Sequence, residues 1–376
     1  MATALTKEIA ARRDEAARFA EENIAGRDDL DAAPEFPWDI WRAMSRAGLA
    51  GLSLPREYGG QGGGYLALAT AGEALVRHGH NLGLALSWAV QNIAAQYLIL
   101  GFGHDGQRRE YLPQMADGRL IACLAVSEPK AGAHPKLLKT SAVRQGDSFC
   151  LSGEKTYLTN GPIADLFIVI AVTEIQAGQK RFTAFLTPKT SPCLSAEPMP
   201  LDFLRPSPHG GIKLDNVLVP AKNILGQEGL AYETIIKPFR EIEDTVMMGV
   251  LVGGLSRQLE LLAGLIREHG LSLTDGQHAD FGELQFLIHT LRIMAYEAAL
   301  MLDSGDRHPE HLSLTLGHRR LVGLFQAKFQ DILSGLKIEA DPRLAALTKD
   351  LAFTADIAKN VARIKQGRLG RAALAG

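Results

Sequence analysis

Phe167-Ile168-Val169-Ile170-Ala171-Val172 is the stretch on which the fold turns. Six consecutive apolar residues, largely β-branched, read as a strand. Arg181 to Leu186 is a second such run. Ile212-Lys213-Leu214 and Val217-Leu218-Val219 are two more, split by the turn formers Asp215 and Asn216. Pro129, Gly132, Gly153, Gly161, Pro188 and Pro192 punctuate the region between Leu120 and about Val219. Four to seven short strands with turns between them predict a small β-barrel or sandwich.

Outward from this region the period changes on both sides. From Leu5 to about Gly118, Ile9, Ala16, Phe19 and Ala20 recur at helical spacing between charges. Trp38, Ile40, Trp41, Met44 and Leu49 repeat the pattern, and the Gly59 to Gly64 tract reads as a turn between helices. Leu82 to Leu100 is apolar over 19 residues, but it contains Trp88, Asn92 and Gln96 and reads as a buried helix. After Leu230 the helical pattern returns. Tyr232 to His269, Phe281 to Asp303, Leu312 to Lys337 and Arg343 to Leu374 are each long enough for a bundle helix. The expected fold class is α+β, mostly α. Its parts are an N-terminal helical domain (1–119), a central β-domain (120–229) and a C-terminal helical bundle (230–376).

Composition narrows the function classes. The chain has 376 residues, long enough for two or three domains. Lys plus Arg number 40 against 42 for Asp plus Glu, a balance that offers no basic face for nucleic acid. The three cysteines, Cys123, Cys150 and Cys193, lie far apart. They form neither a disulfide framework nor a zinc motif, so a reducing, cytoplasmic compartment is expected. His78, His80, His104, His278 and His289 are scattered and read as structural, so no metal is expected. Gly62-Gly63-Gly64 lacks the Lys-Ser/Thr of a phosphate loop. No run of eighteen apolar residues occurs, and no membrane span is expected.

Four blocks carry more information than the pattern. They read LSLPREYGGQGGGYLALA (52–69), EYLPQMADGRLIACLAVSEPKAG (110–132), LSGEKTYLTNGPIAD (151–165) and LDNVLVPAKNILGQEG (214–229). In this order and at these intervals they resemble the acyl-CoA dehydrogenase family of flavoproteins. The resemblance runs from roughly Phe36 to Gly254, more than half the chain. It implies a four-helix C-terminal bundle, usually in a tetramer, and FAD as cofactor. It also implies α,β-dehydrogenation of an acyl thioester, on CoA or carrier protein, with an electron acceptor such as an electron-transfer flavoprotein.

The implied flavin contacts map residue by residue. Oxidation of a thioester needs a base for the α-proton while hydride leaves the β-carbon, and the reduced ring needs donors around it. The family's Thr/Ser-Glu-Pro segment reads Val126-Ser127-Glu128-Pro129 here, giving the Ser127 hydroxyl and the Val126 amide. Its Trp-Ile-Thr-Asn-Gly segment reads Tyr157-Leu158-Thr159-Asn160-Gly161, with Tyr157 as the aromatic cover and Thr159 as the hydroxyl near N5. Asn160-Gly161 is equally a hairpin turn signal.

Other anchors depart from the pattern. Gly-Ala-Gly-Ser-Asp becomes Lys130-Ala131-Gly132-Ala133-His134, which loses a hydroxyl for the pyrophosphate and leaves Lys130 and His134 as charges. Counting back eleven residues from Gln285, the pyrophosphate Arg position holds Thr274. The Gln-x-x-Gly-Gly block of the adenine half survives only as Gln330 to Gly335, leaving Gln330 as its contact.

The implied base is Glu243. Most members carry a catalytic Glu in a C-terminal Tyr-Glu-Gly-Thr segment, which has no match after Gln330, and Glu339 lacks that context. A minority carry it on the first bundle helix, ten residues before a Gly. Glu243 precedes Gly253 by ten, with Asp244 where an Arg stands in the family and Glu241 at the position that contacts CoA. The string Arg240-Glu241-Ile242-Glu243-Asp244 is also what a solvated helix face looks like. Glu243 is expected in a dry pocket that raises its pKa. Two alternatives stay open: a partner-dependent subunit of a heteromeric dehydrogenase, and a flavin monooxygenase on the same fold.

Overall fold

The computed structural model describes residues 5–33, 35–305, 310–336, 341–357 and 359–375. Its contacts divide the chain into two compact units, each assembled from separated segments. One comprises 32–64 and 86–243, the other 1–31, 65–85 and 244–376.

The first unit holds one eight-stranded sheet. Its strands are β1 (Ala122–Ala125), β2 (Ser141–Gln145), β3 (Ser148–Thr159), β4 (Leu166–Gln176), β5 (Gln179–Pro188), β6 (Leu194–Pro198), β7 (His209–Pro220) and β8 (Ile224–Leu225). The order is β6-β7-β3-β2-β4-β5-β8, with β1 parallel to β4. The runs 212–214 and 217–219, expected as two strands, are one: Asp215 and Asn216 form a bulge within β7 opposite Ser152, with Asn216 at a φ of 58°, rather than a turn. Strands β1, β2, β3, β6 and β8 had no named run of their own in the sequence, and β1 and β8 are too brief to leave a period. A single pair, Ser141 opposite Val172, joins β2 to β4, so the sheet folds over at that point. Phe149, Leu151, Ile212, Leu214 and Val217 of one half then pack with Phe167, Val169, Ala171 and Phe185 of the other.

The second face of β4 is covered as well. Leu166, Ile168 and Ile170 pack with Ala95, Leu98, Ile99, Leu112, Met115 and Ile235. A strand buried on both faces cannot alternate, which is why residues 167–172 are continuously apolar. The cover comes from the π-helical segment Ala94–Leu100, which continues α4 (Leu82–Ile93), and from α5 (Asp105–Ala116) and Ile235. His104 starts α5 in a capping box with Gln107, accepting from the Gly106 and Gln107 amides. That gives one of the scattered histidines its structural role.

The second unit is helical. It contains α1 (Lys7–Asn23), most of α3 (Gly64–Gly79), α6 (Lys237–Glu268) from Asp244 onward, α7 (Asp275–Asp303), α8 (His311–Leu336), α9 (Pro342–Asp356) and α10 (Lys359–Ala375). The remaining helix, α2 (Trp38–Arg46), lies in the first unit. Helices α3 and α6 cross at backbone contact. A Cβ on Gly249 would lie 2.1 Å from the Ala69 carbonyl oxygen, and one on Gly253 2.3 Å from that of Glu73. Only glycine permits this approach.

Two bundle boundaries differ from the periodicity. Helix α7 begins before Phe281 because Thr274 caps it, its hydroxyl accepting from the Gln277 amide in a capping box. The helix expected from Arg343 to Leu374 is two helices, interrupted at Ile357, whose backbone is extended. Arg319 donates to the carbonyls of Ala355 and Ile357 there. No Gly or Pro marks the break, so it is invisible in the sequence. Lys337 and Glu339 lie outside the described residues.

Two helices, Leu82–Leu100 and Tyr232–Glu268, are long and apolar enough to cross a membrane by composition. Both are core helices, with 83% and 72% of their most apolar windows buried.

Candidate functional site

The candidate flavin-ring residues come together along one pair of backbones. The Thr156 amide donates to the Ser127 carbonyl at 2.9 Å, and the Cys123 thiol to the Thr159 carbonyl at 3.2 Å. Residues 123–127 therefore run antiparallel beside 156–159. Val126 is buried and Ser127 half-buried.

A β-bulge presents the aromatic side chain. Lys155 pairs with Ile212 and Leu158 with Gly210, leaving Thr156 and Tyr157 opposite one residue of β7. The extra residue breaks the alternation. Tyr157 has a φ of 56°, left-handed for a residue with a Cβ, and its side chain is 63% exposed. An aromatic ring held open by strained backbone is a feature of sites that receive a planar ligand.

Beneath this surface lies an ion pair that composition could not reveal. The Lys155 ammonium is fully buried and donates to Glu128 at 2.9 Å and to the Val126 carbonyl at 3.0 Å. Glu128 also accepts from the Lys139 and Thr140 amides at 2.7 and 2.9 Å. Burial pulls the ammonium down to about 8, against the opposing charge of Glu128. Burial raises the Glu128 carboxyl, but donors from Thr140, the Lys155 charge and Lys139 outweigh it and hold it below the usual range. The Glu of the Ser-Glu-Pro segment is thus a strut that fixes Val126 and Ser127. The two residues lie in separate blocks 27 positions apart, and nothing in the sequence pairs them.

Thr159 meets a second residue absent from the sequence argument. Its hydroxyl lies 3.3 Å from His209 Nε2, and His209 Nδ1 lies 3.1 Å from the Ser207 carbonyl. Asn160 is fully buried with a φ of 64°. It donates through its side chain to the Ser87 carbonyl and through its amide to that of Pro208. Asn160-Gly161 is not a hairpin turn, because β3 pairs with β2 and β7 and not with β4; Asn160 is a structural anchor instead.

Glu243 and Glu241 belong to the same unit, on the first turns of α6. Tyr232–Ile236 is π-helical, and the Tyr97 hydroxyl, on the other π-helical segment, donates to the Thr234 and Ile235 carbonyls at 3.0 Å each. Phe239 packs against Tyr97 with ring centroids 6.2 Å apart. Glu243 is one turn further on, so it shares the Phe239 face. Its carboxylate accepts from Arg240 at 3.2 Å, and the side chain is 25% exposed. Glu241 is exposed.

Gln330 belongs to the other unit, exposed on α8 between buried Phe329 and Ile332. Thr274, where the family pattern has an Arg, is occupied by capping α7, with Asp275 adding negative charge beside it. Asp244 lies 3.7 Å from Lys365. The donor set of the first unit, two hydroxyls and an open aromatic ring, fits the isoalloxazine of a flavin. In the second unit, Thr274 and Gln330 carry no positive charge toward a pyrophosphate. Among the described residues no group of His, Cys, Asp and Glu is placed to hold a metal.

Known proteins agree with this geometry. The profile of the acyl-CoA dehydrogenase N-terminal domain matches residues 6–119, and that of the middle domain residues 123–217. An L-prolyl-[peptidyl-carrier protein] dehydrogenase of Pseudomonas fluorescens is 32% identical, over 73% of this chain and 74% of its own length. A mitochondrial 2-methylacyl-CoA dehydrogenase of Solanum tuberosum is 31% identical, over 81% and 75%. The structure of the prolyl acyl carrier protein oxidase AnaB superposes with a TM-score of 0.87 at 25% identity, covering 98% of this chain and 99% of that one. The chain belongs to the acyl-CoA dehydrogenase family and is an FAD-dependent oxidoreductase of the CH–CH group of acyl thioesters.

Proposed function

We propose that Glu243 is the base of this reaction and that Val126, Ser127, Tyr157 and Thr159 serve the flavin ring. The observation that carries the reading is the β-bulge at Tyr157. It exposes an aromatic face beside the strand end that bears Thr159 and the segment that bears Ser127. FAD, when bound, supplies the acceptor for the hydride that leaves the β-carbon. Glu243 takes the α-proton, with Arg240 3.2 Å away to hold the carboxylate in place. Ser127 and Val126 orient the ring edge, Tyr157 covers it, Gln330 meets the adenine half, and Glu241 contacts the carrier portion of the substrate. On this reading the chain divides into working parts at 1–119, 120–229 and 230–376.

The thioester is carried by CoA or by a carrier protein. The Pseudomonas relative and AnaB are named for carrier-bound prolyl groups, the Solanum relative for an acyl-CoA. Asp244, standing where the family has an Arg, favours a carrier other than CoA. Electrons pass to an acceptor such as an electron-transfer flavoprotein, and the chain works in the cytoplasm as a homo- or hetero-oligomer. A second reading, a subunit that borrows its pyrophosphate anchor from a partner chain, is favoured by the capping role of Thr274.

Glu243→Gln tests the base. It keeps shape and hydrogen bonding but accepts no proton, so flavin reduction by an acyl thioester should slow by about 10²–10⁴-fold while flavin binding holds. Glu241→Gln, about 200° round the helix, should alter affinity at most. A fast Glu243→Gln enzyme sinks the assignment. A purified chain that is colourless alone and yellow only with a second chain supports the borrowed anchor.

A further inference from the structure

The environment of Thr159 fixes which way its hydroxyl points. His209 Nδ1 faces the Ser207 carbonyl, which can only accept, so Nδ1 carries the proton. In the neutral ring Nε2 is then bare and can only accept. Among the described residues, the polar hydrogen that reaches it is that of the Thr159 hydroxyl, 3.3 Å away. Burial lowers the His209 imidazole below its ordinary value, against the raising effect of the Ser207 carbonyl, so the neutral form holds at pH 7.

The ring is not free to turn. Ser207 is buried, and its hydroxyl accepts from that of Ser87 at 2.9 Å. The Ser87 carbonyl accepts from the Asn160 side chain, and the Pro208 carbonyl from the Asn160 amide. Asn160 follows Thr159 directly, and His209 stands opposite Thr159 in the β3–β7 register. Strand end, loop and imidazole are thus tied into one closed set of hydrogen bonds.

We propose that His209 is a positioning residue that turns the Thr159 hydroxyl into an acceptor toward its ligand, matched to the N–H of a reduced flavin ring and mismatched to the bare nitrogen of an oxidised one. This rests on the reading that Thr159 serves the flavin. The residue thereby biases the bound flavin toward the reduced state that the substrate produces. A serine or threonine without such a partner rotates to suit either state.

Two measurements test it. Nitrogen-15 NMR of the flavin-free protein reports the His209 tautomer, and the Nδ1–H form with bare Nε2 is expected. An Nε2–H tautomer or an imidazolium at pH 7 overturns the proposal. Potentiometric titration of the FAD-loaded protein then compares variants. His209→Leu should shift the preference for reduced over oxidised flavin about tenfold towards oxidised, ~30 mV for a two-electron couple. His209→Gln, which returns an acceptor near the Nε2 position, should restore most of that preference. In a Thr159→Val background, His209→Leu should have no further effect. An unchanged potential in a folded His209→Leu protein overturns the proposal. If Thr159→Val alone leaves both flavin affinity and potential unchanged, the flavin role of Thr159 fails instead, whatever the tautomer.

Discussion

The β-containing unit and the helical unit both bury a carboxylate against a cation, but they do so to different ends. In the first, Glu128 and Lys155 are sealed under the Val126-Ser127 segment, and every partner is a neighbour of the candidate ring site. In the second, Glu73 of α3 accepts from Arg292 at 2.7 Å and from the Tyr296 hydroxyl at 2.6 Å, both on α7. Arg292 also reaches the Ser256 hydroxyl of α6 at 3.3 Å. That network joins three helices where α3 and α6 touch backbone to backbone. The first pair positions chemistry, whereas the second holds a bundle together.

The strongest way to break the comparison is Lys155→Met. It removes the cation but leaves Glu128 buried, and an unpaired buried charge costs about 3–5 kcal/mol. Denaturant unfolding should show that loss, and flavin affinity should fall with it because Ser127 loses its strut. Unfolding that shifts without a change in flavin affinity would separate stability from site.

Acid sharpens the contrast from the helical side. His318 is fully buried on α8, and desolvation lowers its imidazole to about 3. A depressed folded value means that the unfolded chain binds the proton first. The contribution is complete above the unfolded value near 6.5 and drains away as pH falls from there towards 3. By pH 5 the loss is about 2 kcal/mol. His318→Leu should unfold with a shallower pH dependence over that window, and an unchanged slope would place the acid sensitivity elsewhere.

Gly253→Ala probes the helix crossing. The added methyl meets the Glu73 carbonyl, an overpacking cost of about 1–3 kcal/mol, offset by about 1 kcal/mol of helix propensity. A net destabilisation of about 0–2 kcal/mol by thermal or urea melting is expected, and a stabilised variant would show that α3 and α6 slide apart freely. The smallest effect belongs to Thr274→Ala, which loses the α7 cap at about 1 kcal/mol and leaves flavin binding untouched. A drop in flavin affinity would show that Thr274 has kept a cofactor role despite losing the Arg.

The residues proposed for the ring site could be named because they stand in the blocks that resemble the family. Val126, Ser127, Tyr157 and Thr159 could be named, and the structure sets them on adjacent backbones. His209 escaped notice because its partners, Thr159 and Ser207, converge only through the β3–β7 register, and a lone histidine between Pro208 and Gly210 has no spacing to betray it. Glu243 was proposed by its distance to Gly253, and in the structure that glycine marks where α6 must touch α3.

By itself the sequence determined the order of helix, strand and helix, the apolar run at 167–172, and the residue types offered to a flavin. Those are local properties, set by side-chain period and by motifs a few residues long. Tertiary structure alone decided the rest. It folded the sheet over at Ser141 and Val172, so that β4 is buried twice, and placed an extra residue in β3 so that Tyr157 faces outward. It ended α9 at a carbonyl cluster held by Arg319 and sealed Lys155 against Glu128. Each of these depends on a partner distant in the chain, and the energy of a buried charge or a strained residue is set by what surrounds it rather than by its neighbours in sequence.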